Sequence, residues 1–342
     1  MDSAKRSLHI LIPGLLGPVT GAGLSTAPIR VPLLERCLVH ARQARIPGWD
    51  LESTLCHLFG VTQQDEDLPV AAIRRFGAGA DTDRRFWLQA EPIYLRADHS
   101  RLLLFDVPDS ELTIAELESL AVLFRDHFHE KDWLVEAGGS LPWFVSPIRF
   151  PRIKTRHLGD VVGRNPDQFM PQGEDGLRWH AILNEIQMLF FSSTLHHQRE
   201  AKDRIPVSGL WFSGGGVLPE RLPAGRFDEI HSDDHFIRGL AKLSNTPVIA
   251  PAGDLYPMLK SGGTKLLVYT ALQRLVWQND VENWYNGLAG VNAWLAPIAE
   301  ALGSGMVNEL VLYPCDGRLF RLTRFGRWRF WKRPRPITSW VE

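Results

Sequence analysis

The stretch Ser7-Leu8-His9-Ile10-Leu11-Ile12-Pro13-Gly14 sets the reading of the fold. A short apolar run that ends in Pro-Gly is the signature of a buried first strand feeding a loop. Lys5 and Arg6 ahead of it also suit the charged start of a signal peptide. Pro13, Gly14, Gly17 and Pro18 interrupt the apolar stretch, so the strand is the better reading. Working outward, residues 32–45 show helical spacing through Leu33, Leu34, Cys37, Leu38 and Ala41. A second helix is expected over 50–60, with Asp50 as N-cap, Leu51, Leu55 and Leu58 as its stripe, and Gly60 as its stop. Residues 63–68 read as an acidic loop, and 77–83 as a loop that marks a domain boundary.

The texture changes at Phe86. Residues 87–95 and 102–107 read as strands joined by a polar turn. Thr113 followed by Glu116 forms a capping box for a helix to about Phe128. Short strands are expected at 133–137 and 143–146, then one long helix over 176–203, with Trp179, Leu183, Ile186 and Phe190 facing a core. From Pro206 a strand runs into Ser213-Gly214-Gly215-Gly216. Ser232 reads as the N-cap of a helix to Leu243, with Asp233 and Asp234 in its first turn. Residues 246–250, 265–270 and 307–313 read as strands. A helix between them, about 284–302, has a possible irregularity at Pro297. Strands alternating with helices at both ends of the chain imply an α/β core with a largely parallel sheet flanked by helices. The middle reads as an inserted α+β domain. The expected division is 1–83 with 206–342 for the core and 84–205 for the insertion.

Bulk properties narrow the functional classes. The chain has 342 residues, 44% hydrophobic and 23% charged, which is ordinary globular composition. No run of about 18 apolar residues occurs, which argues against a membrane-spanning helix. Three separated cysteines, Cys37, Cys56 and Cys315, support neither a disulfide framework nor a cysteine zinc site, and point to a reducing, cytoplasmic setting. The net charge of −1 hides an asymmetry: residues 318–342 carry eight Lys/Arg against Glu342 alone, leaving an acidic body of −8. Around Trp328 and Phe330, aromatics alternate with Arg327 and Arg329, and Gly326 can mark a hairpin turn. Such a tail suits single-stranded nucleic acid or an edge hairpin packed on the core. The acidic body favours the hairpin and argues against nucleic acid.

Motifs for chemistry are sparse. Ser213-Gly214-Gly215-Gly216 can be a phosphate cradle or a plain strand-to-loop turn. It lacks a Walker lysine, and Pro219 intervenes before any helix. His231-x-Asp233-Asp234-His235 offers metal-type ligands, and equally a capped helix start. His127-x-His129 reads as a solvated helix end. His180, Asn184 and Gln187 form a polar stripe that either lines a cleft or faces solvent. No GxSxG, SxxK or HExxH occurs.

The run Gly159-Asp-Val-Val-Gly-Arg-Asn165, then Phe169-Met-Pro171, Asn184-Glu-Ile-Gln-Met188, Leu195-His-His-Gln-Arg199 and Pro206 to Gly216 resembles the RpfE-type regulatory protein family of bacteria, whose members are described as phosphoglycerate mutase-like. That family in turn resembles the archaeal-type, cofactor-independent phosphoglycerate mutases of the alkaline phosphatase superfamily. The resemblance implies an alkaline-phosphatase-like core. Catalysis in that superfamily uses a Ser or Thr nucleophile and two divalent metals held by Asp and His. In this chain no acid stands between Ala4 and Leu34, and no histidine follows His235. The resemblance is therefore carried to the fold and to a non-catalytic, regulatory or ligand-binding role, without cofactor or metal. The alternative is a mutase- or phosphatase-type enzyme with a rebuilt site. Expected ligand-binding residues are Arg164, Asn165, Asn184, Glu185, Gln187, His196, Arg199, Gly214 and Gly215. The expected partner is a phosphorylated small molecule or a protein.

Overall fold

Strand β1 (Arg6–Leu11) runs through the middle of a seven-stranded sheet, and its last five residues are buried. The computed structural model describes residues 6–17, 30–61, 67–98, 101–129, 133–223, 225–251, 253–324 and 333–341. Two units emerge: residues 1–62 with 221–342, and residues 63–220.

In the first unit, α1 (Pro32–His40) starts on a proline, which fits the first turn of a helix. It ends five residues earlier than the spacing suggests. Arg42-Gln-Ala-Arg45 has no apolar stripe and forms strand β2 (Arg42–Arg45) instead. Helix α2 (Leu51–Phe59) is capped as expected. The Asp50 carboxylate accepts from Ser53 N at 2.6 Å, and Gly60 closes the helix at φ 73°, the left-handed region that glycine reaches without strain.

The second unit begins with a helix that the sequence reading missed, α3 (Val70–Gly77). Strands β3 (Phe86–Asp98) and β4 (Arg101–Asp106) form the expected antiparallel hairpin. Helix α4 (Ile114–His129) carries the expected capping box: Glu116 N donates to Thr113 Oγ1 at 3.2 Å, and Thr113 N to Glu116 Oε2 at 2.8 Å. Strands β5 (Leu134–Glu136) and β6 (Trp143–Ser146) follow. The long helix breaks in two, α5 (Gly176–Phe191) and α6 (Thr194–Glu200). Ser193 causes the break by capping α6, its hydroxyl accepting from His196 N at 3.2 Å. Strand β7 (Gly209–Val217) absorbs the three glycines that the sequence placed in a loop. All pairings in this sheet are antiparallel, β3 holding β4 and β6 along one edge and β7 along the other. Helix α3 packs on β3 and β7, so this unit reaches beyond the 84–205 segment at both ends. The aromatic-rich core includes Trp143, Trp179, Phe124, Phe128, Phe190 and Phe212.

The chain returns to the first unit through β8 (Glu229–His231), α7 (His235–Leu243), β9 (Val248–Ile249), α8 (Tyr256–Lys260), β10 (Gly263–Val268), α9 (Gln273–Trp277), α10 (Val281–Trp294), α11 (Ala296–Ser304), β11 (Glu309–Tyr313) and β12 (Arg318–Thr323). The expected 284–302 helix is divided at Leu295, with Pro297 in the first turn of α11. Strand order is β2-β12-β11-β1-β10-β8-β9. The five strands from β11 to β9 are parallel, and β12 and β2 run antiparallel at one edge.

The sheet's two faces differ. Leu8, Ile10, Leu267, Leu310 and Leu312 join the core with residues of α1, α10 and α11. On the alternate positions, His9 Nδ1 meets the Tyr313 hydroxyl at 2.8 Å, and Ser7 donates to Glu309 at 3.1 Å. Burial pushes the Tyr313 phenol up to about 12. The Gly326 hairpin, with Arg327 and Arg329, and most of the 63–68 loop lie outside the described residues. No described helix is long and apolar enough to cross a membrane.

Candidate functional site

Open α/β sheets present ligands at the carboxyl ends of their parallel strands. Beyond β1, that position is filled. Ile12, Leu15 and Leu16 are buried, and the Trp284 indole Nε1 donates to Gly14 O at 2.7 Å. Gly14 sits at φ 80°, and a Cβ there would stand 2.5 Å from Val276, so the loop is pressed against its neighbours. Beyond β11 the only acid of Pro314-Cys315-Asp316-Gly317 is already engaged: Arg318 Nε donates to the Asp316 carboxylate at 2.8 Å. Burial pushes the Cys315 thiol well up, which disfavours the thiolate needed for a nucleophile or metal ligand. These donors do not fit a pair of divalent cations. Among the described residues, no group of three or more His, Cys, Asp or Glu side chains is arranged to hold a metal.

Beyond β8 and β10 the sheet is open. A cleft of about 190 Å³ is lined by His231, Asp254, Met258, Leu267, Tyr269 and Trp294, among others. Tyr269 and Trp294 stand with ring centroids 5.0 Å apart. His231 Nε2 lies 3.4 Å from Glu229, which also faces the Lys265 ammonium at 3.5 Å. Lys265 is fixed by the carbonyls of Met258 and Ser261, each at 2.9 Å, and by the Ser261 hydroxyl. Burial holds the His231 imidazole below its ordinary value, and Lys265 adds to that effect, while Glu229 opposes both. The cleft thus offers two aromatic rings, an imidazole biased to the neutral form and a carboxylate. The next residues resolve the His231–His235 motif. Asp234, two positions beyond the expected cap, accepts from Ile237 N at 3.0 Å and starts α7, and Ser232 accepts from Asp234 N.

The nine residues expected to bind ligand all lie in the second unit, in several different settings. Arg164 is exposed, its guanidinium 5.8 Å from the Phe169 ring. Asn165 caps a short turn by accepting from Asp167 N. Asn184 is exposed, Gln187 half-buried, and Glu185 meets His127 Nε2 at 2.8 Å. His127 is therefore half-buried and paired, where a solvated helix end was expected. His196 and Arg199 are the buried polar side chains of the set. His196 Nδ1 reaches Val207 O at 3.2 Å; Arg199 donates to Ile205 O at 2.6 Å and to Glu116 at 2.7 Å. Gly214 and Gly215 lie within β7, where added Cβ atoms would meet Val70 and Phe86 at 2.9 and 2.6 Å. Gly215 lines a groove of about 790 Å³, and the other eight are absent from that lining. The sequence reading missed the β8–β10 cleft. Its one visible signal was His231 at a strand end just ahead of a helix cap.

No family model and no curated protein matches the chain. Among solved structures, the PH0037 protein from Pyrococcus horikoshii superposes with a TM-score of 0.57 at 11% identity, over 94% of this chain and 88% of that one. A cofactor-independent phosphoglycerate mutase from Thermoplasma acidophilum DSM 1728 aligns at 12% identity over 93% of this chain and 90% of that one, with a TM-score of 0.43. The likeness to the PH0037 protein is one of fold: a mixed α/β architecture with a mostly parallel sheet flanked by helices.

Proposed function

We propose that this chain is a non-catalytic, ligand-binding protein of the RpfE type, on a phosphoglycerate mutase-like scaffold, with its ligand site at the open ends of β8 and β10. The observation that carries the reading is the chemistry at the ends of β1 and β11. Buried aliphatic side chains and a Trp284 anchor stand where phosphoryl chemistry would need metal ligands, and Asp316 is neutralised by Arg318. The cleft that is open suits a small, largely apolar ligand with one hydrogen-bonding group. Among the described residues its lining holds no lysine or arginine, which gives no charge selection for the phosphorylated metabolite suggested by the resemblance. Two of the tail cations are already paired, Arg318 with Asp316 and Arg321 with Glu309, which supports a structural role over nucleic-acid binding. The three free, buried cysteines fit a reducing compartment.

The test is an assay of 2-phosphoglycerate and p-nitrophenyl phosphate with added Mg²⁺, Mn²⁺ or Zn²⁺. The expected result is no turnover above buffer with any metal. Turnover that disappears on chelation would overturn the proposal and establish an enzyme with a rebuilt site.

A further inference from the structure

The second unit holds the larger concavity, and its lining has a definite chemistry. The groove of about 790 Å³ lies within the size range of sites for drug-sized ligands. Gly215 and Gly216 of β7 lie at its base, and the space their side chains would take is filled by Phe86, Leu88 and Pro69. Phe86 thus covers Gly215, since a Cβ there would stand 2.6 Å from its ring. Phe150 stands edge-on to Phe86, centroids 6.1 Å apart at 74°, and is 62% exposed. An exposed phenylalanine in edge contact with a second aromatic presents a free face to the groove, on which a flat ring can lie. Aromatic pairs at such distances are favourable beyond simple burial.

The charged lining residues sort by pairing. Arg152 and Glu174 satisfy each other at 2.5 Å. Asp67 accepts from Thr155 N at 2.8 Å and from the Thr155 hydroxyl. Lys154 is tied by its backbone to Gln172, at 2.7 and 3.0 Å, so its position on the wall is fixed. Its ammonium makes no hydrogen bond or close ion pair among the described residues; it acts on the Asp67 carboxylate only through space, and so can turn to a ligand. We infer that this groove is a second ligand site, independent of the β8–β10 cleft, that takes a planar aromatic anion: the ring against Phe86 and Phe150, and the carboxylate or phosphate monoester at Lys154.

Calorimetric titration of the full chain with four probes tests this. 2-Naphthoate and 2-naphthyl phosphate carry ring and charge, 2-naphthamide carries the ring alone, and inorganic phosphate the charge alone. The two aromatic anions are expected to bind at one site per chain, with naphthamide and phosphate each about tenfold weaker or more. Lys154→Gln should bring naphthoate down to the affinity of naphthamide and leave naphthamide unchanged. Phe150→Ala, at an exposed position that leaves the core intact, should weaken both. His231→Gln, in the other cleft, should change neither. Absence of saturable binding by both aromatic anions overturns the inference. So does binding that survives both Lys154→Gln and Phe150→Ala, or that is lost in His231→Gln. None of these results bears on the phosphatase and mutase assays.

Discussion

Strands β1 and β11, and strands β10 and β8, are neighbours in one parallel sheet, yet their carboxyl ends differ in kind. The first pair ends in aliphatic side chains, a pressed glycine and an indole anchor. The second ends in a cleft with an imidazole, a carboxylate and two aromatic rings. The contrast shows that position in the fold does not by itself make a site. The central strand of an open α/β sheet holds the favoured ligand position, and here that position is packed core. The open cleft lies farther along the sheet, at the ends of β8 and β10.

The largest expected effect comes from reopening the filled end. Trp284 is 1% exposed, and its removal deletes both the indole packing and the bond to Gly14. Trp284→Ala should cost about 3–5 kcal/mol in urea unfolding. A cost below about 1 kcal/mol would mean that the β1 end is not packed as described, and the contrast would fail. A comparable filled position lies in the second unit. Arg199 is 1% exposed and holds both Glu116 and Ile205 O, so Arg199→Ala should cost about 3 kcal/mol by removing buried packing and the bonds to both, although Glu116 keeps Thr113. Arg199→Met with Glu116→Gln should recover part of that loss. A ligand-binding arginine would instead be cheap to remove in the free protein.

A smaller effect distinguishes the two readings of the motif beside the open end. Asp234→Ala removes the cap of α7 and should cost about 1 kcal/mol. Thermal unfolding with and without Zn²⁺ checks it. A metal site would add a zinc-dependent rise in the wild type that the variant loses; a cap predicts the same cost in both conditions.

Much of the scaffold was legible because local chemistry decided it. Asp50 and Gly60 bound α2, Thr113 and Glu116 open α4, and Ile10 and Leu11 are as buried as their apolar run implied. Errors arose where a neighbour in space overrode a pattern. Residues 42–45 pair with β12, an interaction that helical spacing cannot reveal. Ser193 splits an otherwise continuous helical stripe. The glycine run reads as a loop in isolation, but it is a strand whose missing side chains make room for Pro69, Val70 and Phe86. The candidate site was less legible for the same reason. Polar residues on α5 and α6 carried the sequence signal, yet His196 and Arg199 use it to fasten their own unit together. Tyr269 and Trp294, 25 positions apart, give no local sign that they share a wall.

The smallest effect is also the most direct probe of the open end. Burial holds the His231 imidazole below 6.5, so the folded chain keeps it neutral where the unfolded chain would protonate it. In that window the unfolded state binds more protons, and stability rises with pH. The contribution is complete above 6.5 and is lost as pH falls through the lowered folded value. Unfolding measured across this range should therefore show a decline toward acid that His231→Gln makes shallower. Glu229, at 3.4 Å, works in the opposite direction. Removing it, in Glu229→Gln with His231 kept, should steepen the decline, because the desolvated imidazole then loses the carboxylate that favours its charged form. A slope unchanged in both variants would mean that His231 is solvated at the cleft mouth, and that the end of β8 lacks the partly dehydrated character that distinguishes it from an ordinary surface loop.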